Sequence, residues 1–292
     1  MRILIIDGNN LQHRAMHAYS GLTNNVKPVS IIYGMVLLTN HMIKQFKPER
    51  VYVCWDTARH KKRLELLPGY KGKRSRHLRT PEEYAAIEEQ RKAVMKLYNG
   101  LNVWQLYGPG MEADDWIYML TLKHEGDKIV IVSSDKDFNQ LLTSKLTIWN
   151  PNKSLLIHKG NVRGHFGYSE NECVDYLSLV GDSSDNIPGY RGMGEETTKI
   201  FLAQHGSIKR FLENKQLEFR KIDRAKLEEV YKRNRLLIGL KAFYNKYLKN
   251  HEFAFYSKKP TFDKSLLIST CREYNIKTFL KKGFTKQFKQ LK

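Results

Sequence analysis

The sequence predicts an α/β protein built on a mostly parallel central sheet with flanking helices, followed by a mostly helical domain. Three observations carry this. Short apolar runs rich in β-branched residues, at 3–6, 51–55 and 128–133, read as strands buried on both faces. They alternate with helical patterns, the order that a parallel sheet with crossover connections requires. Beyond about Gly167 strands are hard to find and helical spacing takes over.

Taken in order, 3–6 is a strand closed by Asp7 and Gly8, and 29–46 has helical spacing that stops just before Pro48. The run 51–55 is a second strand, closed by Asp56. From 57 to 79 the chain turns rich in Lys and Arg with Glu65 its only acid, which predicts a basic loop or short mobile helices projecting from the sheet. Thr80, Pro81 and Glu83 then form a helix start, a threonine cap with proline at the first helical position and glutamate three residues after the cap. That helix runs to about 97 and ends at Asn99 and Gly100. A third strand is expected at 103–106, a helix at 112–123, the strand 128–133 next to Ser134 and Asp135, a helical turn at 138–142 and a short edge strand at 146–149. The first domain is therefore 1–167 and the second 168–292. In the latter, helices are expected at 171–180, 196–204, 209–212 and 226–248, with a glycine-rich turn region before the second of these. A strand at 253–256, a helix at 264–274 and a basic tail complete the chain.

The 292 residues carry 50 Lys and Arg against 30 Asp and Glu, a formal charge of +20 that favours a polyanionic partner through steering and counterion release. A membrane surface is the rival partner, and neither an 18-residue apolar run nor an amphipathic anchor supports it. Cys54, Cys173 and Cys271 have neither pairing nor metal-ligand spacing, as expected of buried thiols in a reducing, cytoplasmic setting. The first apolar run ends at an aspartate after a few residues, so it reads as a strand and not a signal peptide.

The acids carry the chemistry. In α/β sheets the functional crevice lies at the carboxyl ends of the strands, and here strand-like runs end in Asp7, Asp56, and Asp135 with Asp137. Glu112 and Asp115 share a helix face with Asp114 beside them, and Asp182 and Asp185 repeat the spacing. Crowded carboxylates raise one another's pKa, a conflict that divalent cations resolve. Hard oxygen ligands select magnesium, with manganese as substitute, and the lack of a His/Cys cluster argues against zinc. Two such cations could bind a phosphodiester and activate water. Arg59, Arg63, Lys71 and Arg74 are the basic side chains best placed in sequence to orient the phosphate. Each feature alone has a plainer explanation: a solvated turn acid, an acidic first helical turn, a solvated basic face. Their joint occurrence does not.

These segments resemble the 5′ nuclease family that includes the 5′-3′ exonuclease domains of bacterial DNA polymerase I and phage flap endonucleases. LIIDGNNLQHRAMHA, VCWDTARHKKR, LPGYKGKR, PGMEADD, IVSSDKDFNQLL and GDSSDNIPG match in order. The resemblance implies nine metal-site acids, Asp7, Asp56, Glu112, Asp114, Asp115, Asp135, Asp137, Asp182 and Asp185, with Asp7 and Asp135 central to catalysis. It implies an active-site lysine at Lys71 with Arg74 as its partner, a DNA-contacting Arg14, and a basic helical arch over about 57–98 that holds a single-stranded 5′ arm. Tyr70 is a candidate for stacking on a base, or a buried tyrosine. IPGYRGMGEETTKIFLAQHGS resembles the family's helix–turn–helix DNA-binding element, in which Gly189, Gly192 and Gly194 let backbone approach phosphate and Lys199 lies on the following helix. A potassium ion near 189–194 is a further implication.

The resemblance thus implies a magnesium-dependent 5′-3′ exonuclease or flap endonuclease, monomeric, acting in replication or repair on branched or duplex DNA with a single-stranded 5′ end. The setting expected is a bacterial or phage-infected cytoplasm. Two alternatives remain open at this point. One is a ribonuclease for RNA-containing primers; the other is a branched-DNA binding module without catalysis, which leaves the acids unexplained.

Overall fold

A computed structural model describes residues 1–24, 27–72, 80–249 and 259–292. Its centre is a six-stranded sheet of order β3-β2-β1-β4-β5-β6, formed by β1 (Arg2–Asp7), β2 (Arg50–Cys54), β3 (Trp104–Leu106), β4 (Lys128–Val132), β5 (Leu146–Asn150) and β6 (Leu155–Ile157). All neighbours pair in parallel except β6, which returns antiparallel on β5. Period-two alternation divides the strands between two cores. Leu4, Ile6, Val51 and Val53 face α1 (Gly8–Ala18), α2 (Ser30–Phe46) and α4 (Pro81–Asn99), while Ile3, Ile5, Tyr52 and Cys54 face the layer containing α5 (Ala113–Lys123). Between β2 and α4 lies the short α3 (Lys61–Leu66). The Thr80 cap has both arms of its capping box, Glu83 N–H to Thr80 Oγ1 at 3.3 Å and Thr80 N–H to Glu83 Oε2 at 2.9 Å.

The second region holds α6 (Val162–Phe166), α7 (Cys173–Val180), a two-residue hairpin of β7 (Gly181–Asp182) and β8 (Ile187–Pro188), then α8 (Glu195–His205), α9 (Ile208–Glu213) and α10 (Arg224–Ile238). These pack around Tyr168, Phe201 and Phe211, a third core.

Four expectations need correction. The strand at 146–149 is not an edge, because β6 covers it. The helical pattern of 226–248 is not one helix: α10 stops at Gly239, where a Cβ would lie 2.5 Å from the Arg235 carbonyl oxygen, and α11 (Leu240–Phe243) with a wide π-type turn over Tyr244–Leu248 follows. The helix α1 was not anticipated, since only Gly8, Leu11 and Ala15 of its residues are buried and the apolar stripe is thin. Finally, the C-terminal residues are neither a tail nor part of the helical domain. After α12 (Lys264–Glu273), Phe279, Phe288 and Leu291 join the core under α2 and α4, with α13 (Lys286–Lys289) between them. Lysines between these apolar positions mask their spacing in the sequence. The strand expected at 253–256 lies outside the described residues.

Candidate active site

The sheet order decides where the acids meet. Since β1 lies between β2 and β4, the residues just past these three strands are neighbours: Asp7 ends β1, Asp56 follows β2 and Asp135 follows β4. Asp114, in the first turn of α5, completes a set of four that lines one cavity of about 490 Å³ together with Lys71 and Tyr84. An adjoining recess of about 500 Å³ shares Asp135 with it and adds Lys136 and Asp182.

The strand ends are tied together by side chains that sequence reasoning missed. Asn9 Oδ1 accepts from Asp56 N–H at 3.1 Å, and Asn10 Nδ2 donates to Ser134 Oγ at 2.7 Å. Ser133 Oγ donates to Asp7 Oδ2 at 2.9 Å and accepts from Asp135 N–H at 3.1 Å. Asp56 Oδ1 accepts from Ala113 N–H at 2.7 Å, which docks the start of α5 on the sheet edge. The signal for the asparagines was the GNN triplet directly after the strand. Gly8 opens it because a Cβ there would sit 2.8 Å from the Cys54 carbonyl oxygen.

Charge crowding follows. Burial, then Asp56 and Asp135, push the Asp7 carboxyl up to about 7. Burial raises Asp114 well above the usual range, helped by Asp135, Asp56 and Asp7 and opposed by Lys71. Asp137 is raised in the same way, by burial and by Asp135, Asp182, Asp185 and Asp114, and its buried Oδ1 has no hydrogen-bond partner. Asp182 goes the other way: against its burial, Ser184 and Lys136 hold its pKa down. Its Oδ1 accepts from Ser184 N–H at 2.8 Å and Ser184 Oγ at 2.7 Å.

Among the described residues no three His, Cys, Asp or Glu side chains are placed so that they could hold a metal ion as they stand. The donor set nevertheless suits a hard divalent cation: it consists of carboxylate oxygens, it includes an orphaned buried oxygen, and its members oppose their own ionisation until positive charge is supplied. Magnesium retains several waters, so an open arrangement is compatible with it.

Two of the nine acids stand apart. Asp115 is held by the Arg63 guanidinium at 3.0 and 2.7 Å, and Glu112 by Arg63 at 3.1 Å, by Tyr70 Oη at 3.2 Å and by a short bond from Lys71 Nζ. Burial alone would raise Glu112, but Arg63 and Lys71 prevail and bring it down to about 2. Glu112 and Asp115 thus anchor the basic side chains. Arg63 is 1% exposed and Tyr70 2%, so both side chains are turned inward, Tyr70 in its buried alternative. Lys71 lines the acid cavity, bound to Glu112, with Asp114 Oδ2 at 3.6 Å and Asp185 Oδ2 at 3.9 Å. Its backbone has φ 51°, and its N–H donates to the Asp185 carbonyl oxygen at 2.8 Å, which ties the two domains at the site.

Arg59 is exposed ahead of α3. Arg14 lines a separate recess between α1 and α2 and donates to Asn152 Oδ1 at 3.0 Å. Gly189 sits so close to α7 that a Cβ would meet the Leu179 carbonyl oxygen at 2.2 Å, Gly192 has φ +86°, and Gly194 caps α8. Lys199 pairs with Glu196 at 2.6 Å on the same helix. Arg74 lies outside the described residues.

Comparison with known proteins matches two consecutive segments of the chain. Residues 2–167 match the family described as 5′-3′ exonuclease, N-terminal resolvase-like domain, and residues 168–248 match 5′-3′ exonuclease, C-terminal SAM fold. A 5′-3′ exonuclease of Aquifex aeolicus is 32% identical over 231 residues, 78% of each chain. The thermostable DNA polymerase I of Thermus filiformis is 35% identical over 217 residues, 73% of this chain and 25% of the polymerase, so the chain spans about a quarter of that relative. In three dimensions the fold superposes on the bacteriophage T5 flap endonuclease in a complex with DNA and metal ions, with TM-score 0.73, 22% identity and coverage of 94% and 98% of the two chains. The chain belongs to the 5′-3′ exonuclease family.

Proposed function

We propose that the protein is a magnesium-dependent, structure-specific 5′ nuclease that hydrolyses DNA phosphodiesters at 5′ flaps and ends. The observation that carries this reading is the meeting of Asp7, Asp56, Asp114 and Asp135 in one cavity walled by Lys71. Asp7, Asp56, Asp114 and Asp135 are the proposed ligands of one cation, and Asp137, Asp182 and Asp185 those of a second. When bound, the pair supplies charge neutralisation for the phosphodiester and a lowered pKa for the attacking water. Lys71, held in place by Glu112, is proposed to take up negative charge on the phosphate as the transition state forms. Glu112 and Asp115 are proposed to fix Arg63 and Lys71 in place beside the acid cavity. The phage and bacterial relatives support a bacterial or phage-infected cytoplasm as the setting; a monomeric working form and a potassium ion at the 189–194 turn are further parts of the proposal. A non-catalytic DNA-binding module is disfavoured, because uncompensated acids at that cavity would repel phosphate.

The test offers 5′-flap, nicked, single-stranded and RNA-primed duplexes with Mg²⁺, Mn²⁺ or EDTA. Metal-dependent cutting that tracks a 5′ branch supports the reading, and binding without cutting under every metal condition overturns it. Asp135→Asn is expected to abolish cleavage while DNA affinity in EDTA stays equal or rises, since one repulsive charge is gone.

A further inference from the structure

One face of the central sheet is left open by the topology. Val130 and Val132 of β4, with their partners Thr147 and Trp149 of β5, point to the side that α1 and α2 cover. The connection from β4 to β5 instead buries Phe138 and Leu142 in the core on the α5 side, and after β6 the Val162 side chain of α6 joins them there. β4 and β5 therefore receive no crossover helix of their own on the α2 side, and Leu38, Phe46, Val130 and Trp149 are only half-buried.

Two recesses follow this open strip. The upper one, of about 420 Å³, lies between α1, α2 and Trp149 and is the recess that Arg14 lines. The lower one, of about 310 Å³, runs along Phe46, Val130 and Thr147 toward the foot of the sheet. They adjoin at Phe46 and Trp149, whose rings meet edge-on with centroids 5.7 Å apart. From Thr147 to Pro151 the strip spans roughly 13 Å at the rise of an extended strand.

Its charge is of one sign. Among the described residues no Asp or Glu lines either recess, whereas Arg14, His41 and Lys44 line the upper one and Arg2, Lys128 and Lys145 the lower. None of these Lys and Arg side chains has an ion-pair partner among the described residues. The acids that adjoin the strip in sequence, Glu49 and Asp127, are already paired with Lys292 and with the Met1 amine.

We propose that this strip is a docking groove for an acidic peptide segment of another protein, one that carries two bulky apolar side chains among its Asp and Glu residues. The apolar side chains enter the recesses on either side of the Phe46–Trp149 contact, and the carboxylates meet the cationic rim. An apolar floor inside a rim of one sign selects this chemistry. A DNA duplex keeps its rings stacked inside and offers the floor nothing to bury, and a bilayer cannot follow a concave strip. Single-stranded DNA, which also joins rings to negative charge, is the competing occupant.

The experiment measures fluorescence anisotropy on the full chain in EDTA, so it decides this proposal independently of the nuclease reading. It is run at about 0.15 M salt, where the Debye length is about 8 Å and distant charges are screened. The probes are three fluorescein-labelled peptides of Asp and Glu in which one Phe and one Leu are separated by one, two or three acids, the same peptides with both apolar residues replaced by Ser, and a short oligothymidylate. Wild type is compared with the double variant Lys44→Glu, Lys128→Glu, both exposed and outside the acid cavity, its fold checked by thermal unfolding. At least one apolar peptide is expected to bind about tenfold or more tighter than its serine counterpart, the scale of one buried aromatic side chain. The variant is expected to lose about tenfold for that peptide through charge reversal, and no more than about threefold for oligothymidylate. Equal binding of apolar and serine peptides would mean general charge attraction and overturn the proposal with wild type alone. Absence of binding by all three peptides, or a variant that binds them as wild type does, would overturn it as well. An oligothymidylate that loses as much affinity as the peptide would make the strip a nucleic-acid site instead.

Discussion

Replacing Arg63 by methionine separates an internal strut from a DNA-binding side chain. The guanidinium is buried, makes two bonds to Asp115 and one close approach to Glu112, and lies 3.9 Å from the centre of the Phe243 ring. Methionine fills much of the volume but leaves two buried carboxylates without their common partner. Breaking a buried pair in this way costs about 3–5 kcal/mol, because the remaining charge cannot recover its hydration. At roughly 2–4 °C per kcal/mol for a chain of this class, the midpoint of thermal unfolding should fall by on the order of 6–20 °C. The deficit should depend on pH. Glu112 is held at about 2 against an ordinary 4.5, so its contribution is fully present above about 4.5 and is lost as pH falls toward 2. Wild type and variant should therefore converge in stability over that interval, and differ most near neutrality. The assay is thermal and denaturant unfolding in EDTA across pH, with DNA affinity measured at a temperature where both proteins are folded. A variant that loses less than about 1 kcal/mol, the range of exposed ion pairs, yet binds DNA much more weakly would refute the internal role and restore Arg63 to the DNA surface.

Lys71→Met is expected to slow single-turnover cleavage by roughly 10²–10³-fold, the scale of a missing electrostatic donor, with DNA affinity in EDTA little changed; a change confined to affinity would reassign it to docking. His205, buried among Phe201, Phe211 and Phe219 with both ring nitrogens unpartnered, has its pKa lowered by burial and by Arg210 and Arg224. Since the folded state favours the neutral ring, its contribution is present above about 6.5 and lost as pH falls below that value, and His205→Leu should flatten denaturant-unfolding stability over the same range. Gly189→Ala places a methyl 2.2 Å from a carbonyl oxygen of the α7 backbone, which cannot swing aside. It should cost about 1–3 kcal/mol by overpacking and weaken DNA binding, while calorimetric Mg²⁺ binding at the acid cavity is retained.

The acids at the strand ends were legible because a buried parallel strand is a continuous apolar run, so the residue that breaks it marks the sheet's functional edge. The capped helix α4 was legible for a similarly local reason, Thr80 and Glu83 acting within one turn. The burial of Arg63 was not legible because its segment is basic on average, and composition does not distinguish a lysine in water from an arginine folded under two carboxylates. The Asn9 and Asn10 clamp was missed because its partners, Asp56 and Ser134, are remote in sequence.

Short-range periodicity and residue type were enough for the alternation of strand and helix, the surplus of positive charge and the identity of the acids. Packing settled the rest: which acids share a cavity, which are neutralised behind it, and how the C-terminal residues return to the core under α2 and α4. The physical reason is that burial and pairing free energies depend on neighbours brought together by sheet order, and sheet order is a property of the packed chain rather than of any window along it.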